Sequence, residues 1–341
     1  MSNLSELLPA GGAAKEFEPV ASGTLPNGTA VVLKADGTVE AINPTSGGPS
    51  AGTPVVYGGD PSIQSAVFDS NSNKVVIAYR DTDDSAKGKA VVGTVSGTSI
   101  SFGTVVVFHA TNSAAITSTF DSNSNKVVIC WTDIATGLYL NAIVGTVSGT
   151  SISFGTRVVF RSVFSLGYKS SMTFDSNTNK VVMAYYVQGA TGEVIIGTVS
   201  GTSISFGTPV VFNSATTTNI AAVFDSNSNK IVLSYLDTTS TTCKSIVGTV
   251  SGTSISFGSN VVFHSGGVSG PLDSVFDSNS NKVVILYTNI TGQAGTAIVG
   301  TVSGTSISFG TAAVFSPNGN SDAYVTGAFD SSANKVVIAY K

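Results

Sequence analysis

The eleven-residue stretch GTVSGTSISFG occurs five times along the chain, beginning at Gly93, Gly145, Gly197, Gly248 and Gly300. A second segment, FDSNSNKVVIAY with small changes, occurs six times, beginning at Phe68, Phe120, Phe174, Phe224, Phe276 and Phe329. Both sets of landmarks are spaced by 50 to 54 residues. A period of this length indicates similar units that stack on one another, because each unit alone is too small to bury its apolar face.

Each unit contains four strand signals, which we name A to D. In the first unit they read IQSAVF, KVVIAY, KAVVGTV and SISFGTVVVF. DSNSN lies between A and B and SGT lies between C and D, and both favour tight turns. The many Val, Ile, Thr, Ser and Phe residues, together with 37 glycines, fit short strands joined by such turns. We therefore predict an all-β protein built of four-stranded antiparallel units.

Strands B and C are apolar on both faces, since Val75 and Ile77 point one way and Val76 and Ala78 the other. Such strands belong to a sheet packed between two neighbours. Strand D carries a proline at Pro209, which favours the edge of a sheet. Four-stranded sheets packed around an axis form a β-propeller with about 40 to 50 residues in each blade. Tandem immunoglobulin-like sandwiches, which need about 100 residues each, and a parallel β-helix fit less well.

The sixth unit stops after strand B, so its strands C and D must come from elsewhere in the chain. Residues 30–42 align without a gap with residues 90–102, and GTPVVY at residues 52–57 matches GTPVVF in the third full unit. The sequence thus predicts a six-bladed β-propeller of four-stranded antiparallel blades spanning residues 20–341. A blade shared between the N- and C-terminal strands closes the predicted ring. Residues 1–19 are predicted to be a separate leader.

The two faces of the predicted disc differ in their loops. The A–B and C–D turns of one face are nearly identical in every unit, whereas the B–C and D–A loops of the other face differ in each. Varied loops on a rigid scaffold are where binding usually resides, although such loops also drift when they bear no packing load. Two of the candidates, Trp131 and Tyr186, have the alternative of packing between blades. The candidate ligand-binding residues on this face are aromatic or charged: Arg80, Trp131, Tyr139, Arg161, Tyr168, Tyr186 and Glu193.

No arrangement of residues predicts catalysis. Asp83, Asp133, Glu193 and Asp237 belong to different units, so nothing in the sequence sets the separation that acid–base chemistry requires. A nucleophile motif is also lacking. We predict that the protein is not an enzyme and has no catalytic residue and no cofactor.

The turn DSNSNK is similar to the start of a calcium-binding loop. Its sixth position is Lys74 instead of glycine and its twelfth is Arg80 instead of glutamate, which favours a hydrogen-bonded hairpin turn. We predict no metal site, and the sequence leaves open a weakly bound ion at these turns. Cys130 and Cys243 stand at non-equivalent places, so neither a disulfide nor a metal site is expected.

Charge and hydropathy exclude several partners. The net charge is −4 and no run of Lys or Arg occurs, which argues against nucleic acid, because phosphate binding needs clustered cations. The start of the chain lacks the basic and apolar regions of a signal peptide, and no run of about 18 apolar residues appears. We therefore expect synthesis in a cytoplasm and no membrane insertion.

The repeat FDSNSNKVVIAY with GTVSGTSISFG, together with the leader MSNLSELLPAGG, resembles virion-associated, tail-fibre-like repeat proteins of marine bacteriophages of the cyanophage and pelagiphage type. The resemblance covers nearly the whole chain and implies a location in the virion, with residues 1–19 docking to other virion proteins. The leading interpretation is a non-enzymatic adhesion or decoration protein that binds a host surface glycan or protein. A purely structural virion component and a glycan-active hydrolase are the alternatives.

Overall fold

The computed structural model describes residues 31–33, 39–41, 52–162, 170–187, 191–317 and 324–340. Every regular element within these ranges is a β-strand, which confirms the all-β class. The predicted leader at residues 1–19 lies outside the described residues.

The strands are numbered in chain order and fall into one terminal sheet and five repeats. The terminal sheet contains β1 (Val31–Leu33), β2 (Val39–Ala41), β27 (Val325–Asp330) and β28 (Lys335–Tyr340). Repeat 1 contains β3 (Pro61–Asp69), β4 (Lys74–Asp81), β5 (Lys87–Ser96), β6 (Ser99–Phe102) and the start of β7 (Val106–Asp121). Repeat 2 contains the end of β7, β8 (Lys126–Asp133), β9 (Tyr139–Ser148), β10 (Ser151–Phe154) and β11 (Val158–Arg161).

The remaining three repeats follow the same order. Repeat 3 contains β12 (Ser171–Asp175), β13 (Lys180–Val187), β14 (Thr191–Ser200), β15 (Ser203–Phe206) and β16 (Val210–Asn213). Repeat 4 contains β17 (Thr217–Asp225), β18 (Lys230–Asp237), β19 (Thr242–Ser251), β20 (Ser254–Phe257) and β21 (Val261–His264). Repeat 5 contains β22 (Val268–Asp277), β23 (Lys282–Asn289), β24 (Gly295–Ser303), β25 (Ser306–Phe309) and β26 (Ala313–Ser316).

Within each repeat the strands pair antiparallel in the order A, B, C, D. Strand D is split into two short strands that both pair with strand C, so D forms the outer edge, as predicted. The long strand β7 serves as strand D of repeat 1 and strand A of repeat 2, and it joins the two repeats into one nine-stranded sheet.

Consecutive repeats pack face to face through their B and C strands. Val76 and Val92 of repeat 1 lie in one buried cluster with Val127 and Ile129 of repeat 2, and equivalent clusters join repeats 2 and 3, 3 and 4, and 4 and 5. The opposite face of repeat 2, including Val128, packs on repeat 3. The prediction that these strands are buried on both faces is therefore confirmed.

The two ends of the chain pair in the terminal sheet, whose order is β2, β1, β28, β27. Val31 of β1 lies opposite Ile338 of β28. In repeat 1 the equivalent residues are Val91 and Ile77, which also lie opposite each other. The predicted pairing of the chain ends is thus present in the predicted register.

The pairing of β1 with β2 departs from the predicted alignment. Leu33 lies opposite Val39, whereas the equivalent residue in repeat 1, Gly93, lies opposite Phe102, three positions further along. A Cβ atom on Gly93 would approach Ile100 Cδ1 to 2.9 Å and Phe102 Cε1 to 3.0 Å, so the repeats keep glycine where strand D folds over strand C.

Candidate functional site

The varied loops lie together on one side of the sheets. In four repeats the backbone N–H that follows strand B donates to a carbonyl just before strand A: Thr82 to Asp60, Ile134 to Asn112, Thr238 to Thr216 and Ile290 to Gly267, at 2.9 to 3.2 Å. The D–A and B–C loops therefore form one surface, which we call the variable face. The A–B and C–D turns form the opposite surface, which we call the uniform face.

On the uniform face each A–B turn satisfies its own aspartate. Asp69 Oδ1 accepts the N–H groups of Asn71 and Ser72 at 3.0 Å, and Oδ2 accepts the Ser72 hydroxyl at 2.7 Å. Asp175 and Asp225 make the same three bonds in their own turns. Because both carboxylate oxygens are occupied and Asp69 is only 2% exposed, this geometry favours the hairpin turn over the calcium loop.

Towards the variable face, an aromatic ring that is at most 2% exposed fills the sixth position of strand B in each repeat. In repeats 2 to 5 this ring contacts a phenylalanine from strand D of the preceding repeat. The ring centroids of Phe108 and Trp131 are 5.1 Å apart, as are those of Phe212 and Tyr235. The aromatic residues of this layer are Tyr79, Trp131, Tyr185, Tyr235 and Tyr287.

Beside this aromatic layer, repeats 1 to 4 each hold a buried carboxylate paired with a cation. The pairs are Lys89 Nζ with Asp81 Oδ2 at 2.8 Å, Arg157 Nη1 with Asp133 Oδ2 at 3.2 Å, Arg161 Nη2 with Glu193 Oε1 at 2.7 Å, and Lys244 Nζ with Asp237 Oδ2 at 2.6 Å. Every carboxylate side chain is at most 9% exposed, whereas the cations are 14% to 42% exposed. The cations thus present N–H donors to the surface while the acids hold them in place.

The pair in repeat 3 spans two repeats. Arg161 follows Phe160 at the end of β11 in repeat 2, and its guanidinium reaches Glu193 on β14. The hydroxyl of Tyr185 donates to the second oxygen of Glu193 at 2.9 Å. Burial raises the pKa of Tyr185, and the Glu193 charge raises it further, so the phenol stays protonated as a donor.

The richest cluster lies between repeats 1 and 2. His109 Nε2 lies 3.2 Å from Asp133 Oδ1, and the Thr111 hydroxyl lies 2.7 Å from the same nitrogen. Burial lowers the pKa of His109, and the nearby Asp133 charge offsets only part of that effect. Burial acts to raise the pKa of Asp133, but hydrogen bonds from Thr136 and His109 outweigh it and the net shift is downward. Asp133 is therefore ionised and His109 neutral near pH 7.

The predicted site residues occupy different layers of the variable face. Arg80 and Tyr139 are half-buried, and Arg80 Nε has no hydrogen-bond partner among the described residues. Tyr186 is half-buried and packs against the cluster between repeats 3 and 4. Arg161 and Glu193 are brought together in one ion pair. Tyr168 lies outside the described residues.

Trp131 requires a correction. Its side chain is 0% exposed and lies between the rings of Phe108 and His109, so it has no free surface for stacking on a ligand. The physical reason is its place in strand B, where it replaces the tyrosine found at Tyr79 and Tyr185. The alternative of packing between units is the one observed.

Sequence reasoning overlooked the cations Lys89, Arg157 and Lys244, and also Asp81. One signal was present: aspartate stands two positions after the strand B aromatic in YRD, WTD and YLD, at Asp81, Asp133 and Asp237. The cations carry no such signal, because their positions differ between repeats. Lys89 and Lys244 lie on strand C, whereas Arg157 lies between the two halves of strand D. Their pairing depends on strand register, which the motif alone does not give.

Neither a metal centre nor a membrane span emerges from the described ranges. Within them, no three His, Cys, Asp or Glu side chains gather as a metal-binding group, and no helix is long and apolar enough to cross a bilayer. Cys130 and Cys243 are both buried and unpaired. Burial raises the pKa of Cys243 to about 12, which keeps it a thiol.

Sequence comparison gives no relatives: no protein-family profile matches the chain, and no curated protein matches it. Structure comparison gives clear likenesses. The BP39L lectin from Burkholderia pseudomallei superposes with a TM-score of 0.61 at 11% identity, over 78% of this chain and 74% of the lectin. AofleA from Arthrobotrys oligospora gives 0.55 at 11% identity, over 95% and 89% of the two chains.

A third likeness is to a putative oxidoreductase (glucose dehydrogenase) from Thermus thermophilus, with a TM-score of 0.51 at 11% identity over 83% of this chain and 92% of that one. At such identities the likenesses concern the fold alone. Together with the stacked four-stranded repeats, they fit a β-propeller.

Proposed function

We propose that this protein is a non-enzymatic carbohydrate-binding β-propeller that contacts its ligand through the variable face. In this proposal the five repeats and the terminal sheet are six blades of a closed ring. The terminal sheet is the sixth blade and lies between repeat 5 and repeat 1.

Contacts made by residues 52–57 support closure of the ring. Tyr57 packs on Tyr79 and Phe102 of repeat 1, with ring centroids 5.4 and 5.5 Å apart. Phe108 of repeat 1 makes the equivalent contacts with repeat 2, at 5.1 and 6.0 Å. On the other side, Phe315 of repeat 5 lies 5.3 Å from Tyr340 of the terminal sheet. The contacts of Tyr57 with repeat 1 and of Phe315 with Tyr340 therefore resemble those between neighbouring repeats, which supports the proposed closure.

Particle images viewed along the axis test closure directly, because a closed ring shows six equal spokes. A matched pair of variants gives a second test. If the ring is closed, Tyr57→Ala removes an inter-blade contact and destabilises the protein by about 3 kcal/mol, as Phe108→Ala does. If Tyr57→Ala leaves the melting temperature unchanged while Phe108→Ala lowers it, the ring is open at that border.

The observation that carries the binding proposal is the set of carboxylate–cation pairs on the variable face. Each partly exposed cation is fixed by a buried carboxylate, so its remaining N–H donors are oriented before a ligand arrives. Valines 41% to 50% exposed lie on the neighbouring strand D: Val107, Val159, Val211, Val262 and Val314. Sugars combine hydroxyl acceptors with apolar C–H faces, and sites of this mixed character suit them.

The likeness to the BP39L lectin adds support at the level of the fold. The charge states support a role without catalysis. Hydrogen bonding by Lys89 lowers the pKa of Asp81, and in Asp237 hydrogen bonds from Lys244 and the loop backbone outweigh the opposing effect of burial on the pKa. A glycan-cleaving site needs a carboxyl group that stays protonated as a general acid, and the lowered pKa values argue against Asp81 and Asp237 in that role.

Screening the purified protein on an array of glycans tests the proposal. We expect binding to a defined set of glycans, lost or reduced at least tenfold in Arg161→Ala or Arg157→Ala. Lys126→Ala, which removes one charge from the uniform face, is the matched control and binds normally. No binding by the folded parent, or equal loss in all three variants, contradicts the proposal.

A place in the virion, with a host surface glycan as receptor, remains the biological setting we propose on the basis of the repeat resemblance. Mass spectrometry of purified particles and binding of the isolated protein to host cells test it. A protein absent from particles contradicts the virion role and leaves the carbohydrate-binding proposal intact.

A further inference from the structure

Among the buried polar atoms of repeat 2 that have no hydrogen-bond partner in the described residues, two belong to residues that face each other on neighbouring strands. They are the indole nitrogen Nε1 of Trp131 and the amide oxygen Oδ1 of Asn141, and both residues are 0% exposed. The two residues lie directly opposite each other on β8 and β9, so their side chains share the face that packs on repeat 1. Asn141 Nδ2 donates to the Tyr139 carbonyl at 2.8 Å, which sets the amide orientation.

The same two positions are satisfied in other repeats. In repeat 3 the Tyr185 hydroxyl donates to Glu193 at 2.9 Å. In repeat 4 the Tyr235 hydroxyl donates to Asn260 at 2.7 Å and Lys244 donates to Asp237 at 2.6 Å. The fold therefore allows both groups to be paired, and the unpaired state in repeat 2 comes from its Trp and Asn, not from the architecture.

A buried polar group without a hydrogen-bond partner loses its hydration with nothing in return, so two that face each other need an explanation. One of them is a donor and the other an acceptor. A hydroxyl group is both, and one hydroxyl between them would accept from the Trp131 N–H and donate to Asn141 Oδ1. An anion would satisfy only the first, and a cation only the second.

We infer that Trp131 and Asn141 form a subsite for one hydroxyl group of a bound saccharide. This inference rests on the proposed carbohydrate-binding function and specifies where that ligand is held. Val159 of β11 lies directly opposite Asn141 of β9, and Arg157 immediately precedes β11. They supply an N–H donor and an apolar surface for the rest of the sugar ring.

Entry to the subsite requires Arg157 to move. Its guanidinium contacts Asp133, which also contacts His109, and the His109 ring centroid lies 5.2 Å from that of Trp131. The side chain is 42% exposed and its contact with Asp133 Oδ2 is 3.2 Å long. In this inference, movement of the Arg157 side chain opens the way to the layer that holds Trp131.

Trp131 is the only tryptophan in the chain, so its fluorescence reports on this subsite alone. Titration with saccharides that bind on the array is the test. We expect a saturable change in the emission of Trp131 with the same dissociation constant as calorimetry gives. If the two atoms are paired only by a buried water molecule, the emission of Trp131 will not change when saccharide is added.

Asn141→Leu removes the acceptor and should weaken binding about tenfold, which corresponds to the loss of one good hydrogen bond. Thr296→Val changes the same position in repeat 5 and should bind like the parent. If Asn141→Leu does not fold, Trp131→Tyr, which restores the residue of the other repeats, serves instead, with calorimetry as the readout.

The outcomes separate this inference from the proposed function. Glycan binding with constant Trp131 emission and an unaffected Asn141→Leu variant overturns the subsite and leaves the carbohydrate-binding proposal standing. No glycan binding at all overturns both. A crystal structure with the same water between Trp131 and Asn141 in the free and sugar-bound protein also overturns the subsite.

Discussion

The uniform and variable faces are built from the same sheets but satisfy their polar groups in different ways. On the uniform face the bonds are local, since Asp175 accepts only from residues two and three positions later. On the variable face local bonds are joined by pairs from further along the chain. Asp237 Oδ1 accepts from Thr239 and Ser240, but its Oδ2 pairs with Lys244. Glu193 pairs with Arg161 from the preceding repeat. A local motif needs nothing from its neighbours and is able to recur unchanged, whereas a long-range pair requires two matched positions.

This difference explains part of the diversity on the variable face without reference to a ligand. Asp81 with Lys89 and Asp237 with Lys244 are one solution to charge balance, and Asp133 with Arg157 is another. Charge balance does not explain why the cations are partly exposed. It also does not explain the unpaired atoms Trp131 Nε1 and Asn141 Oδ1 in repeat 2. These are the features that suggest binding.

The largest effect is expected in the half of the sheet next to the uniform face, where strand D folds over glycine. A Cβ on Gly197 would lie 2.9 Å from Ile204 and 3.0 Å from Phe206. Gly197→Leu should lower the free energy of unfolding by about 3 kcal/mol, because the whole of β15 must move. Urea denaturation measures it.

The matched control for that variant is Ser205→Leu, which places the same side chain on an exposed position of β15. It should change stability by no more than about 0.5 kcal/mol. Equal losses in both variants would mean that strand D is insensitive to the packing on Gly197.

Removing one charge from each face of repeat 3 gives the next largest effect. Glu193→Gln leaves Arg161 without its anion and should cost about 2 kcal/mol, less than a fully buried pair, because Arg161 is 28% exposed and reaches water. Asp175→Asn loses only the acceptor for the Thr178 hydroxyl and should cost about 1 kcal/mol. Thermal unfolding of both variants measures the two costs.

Salt provides the check on this comparison. The difference between the parent and Glu193→Gln should shrink in 1 M NaCl, because an ion pair is screened, whereas the Asp175→Asn difference should not change. Salt dependence of the same size in both variants would show that the two faces do not differ in the way described.

The sequence was sufficient for the fold wherever the information is local or periodic. Strand order, the outer position of strand D and the pairing of Val31 with Ile338 all follow from the repeat alignment. The alignment failed at β2, where it matched Gly37 to Gly97 but the observed register differs from that of repeat 1. A gapless alignment cannot detect a change in strand register after a turn.

The candidate site was less predictable, for a physical reason. Trp131 is predicted as a candidate ligand-binding residue, with packing between blades as the alternative, and its alignment with Tyr79 and Tyr185 in strand B favours the interior position that is observed. Arg157 and His109 converge on Asp133 only after three strands from two repeats have packed. No spacing in the sequence encodes that convergence.

Lowering the pH should reduce the local stability of the variable face and leave that of the uniform face unchanged. We expect this effect to be smaller than the effects of the variants above. The only two histidines, His109 and His264, lie on the variable face, and burial lowers the pKa of each. As the pH falls below about 6.5, these histidines bind protons more readily in the unfolded chain than in the folded protein. The free energy of unfolding therefore decreases below that pH.

Amide exchange at pH 7 and pH 5, corrected for the intrinsic rate, measures this. Protection should fall around residues 109–116 and 264–268 and stay constant in the A–B turns. A double variant, His109→Gln with His264→Gln, should abolish the difference between the two pH values. Loss of amide protection in the A–B turns at pH 5 would show that the acid response belongs to the uniform face, and it would contradict the prediction.

The last prediction is that calcium has no effect on stability. Calcium at millimolar concentration should not raise the melting temperature, because Asp69, Asp175 and Asp225 already use both carboxylate oxygens within their own turns. An ion would have to displace two backbone N–H groups and a hydroxyl at each turn, and the lysine that follows adds repulsion. Differential scanning calorimetry with calcium, with magnesium and with a chelator measures it. A saturable rise with calcium alone would show that the turns open to bind an ion and that the uniform face is a second binding surface.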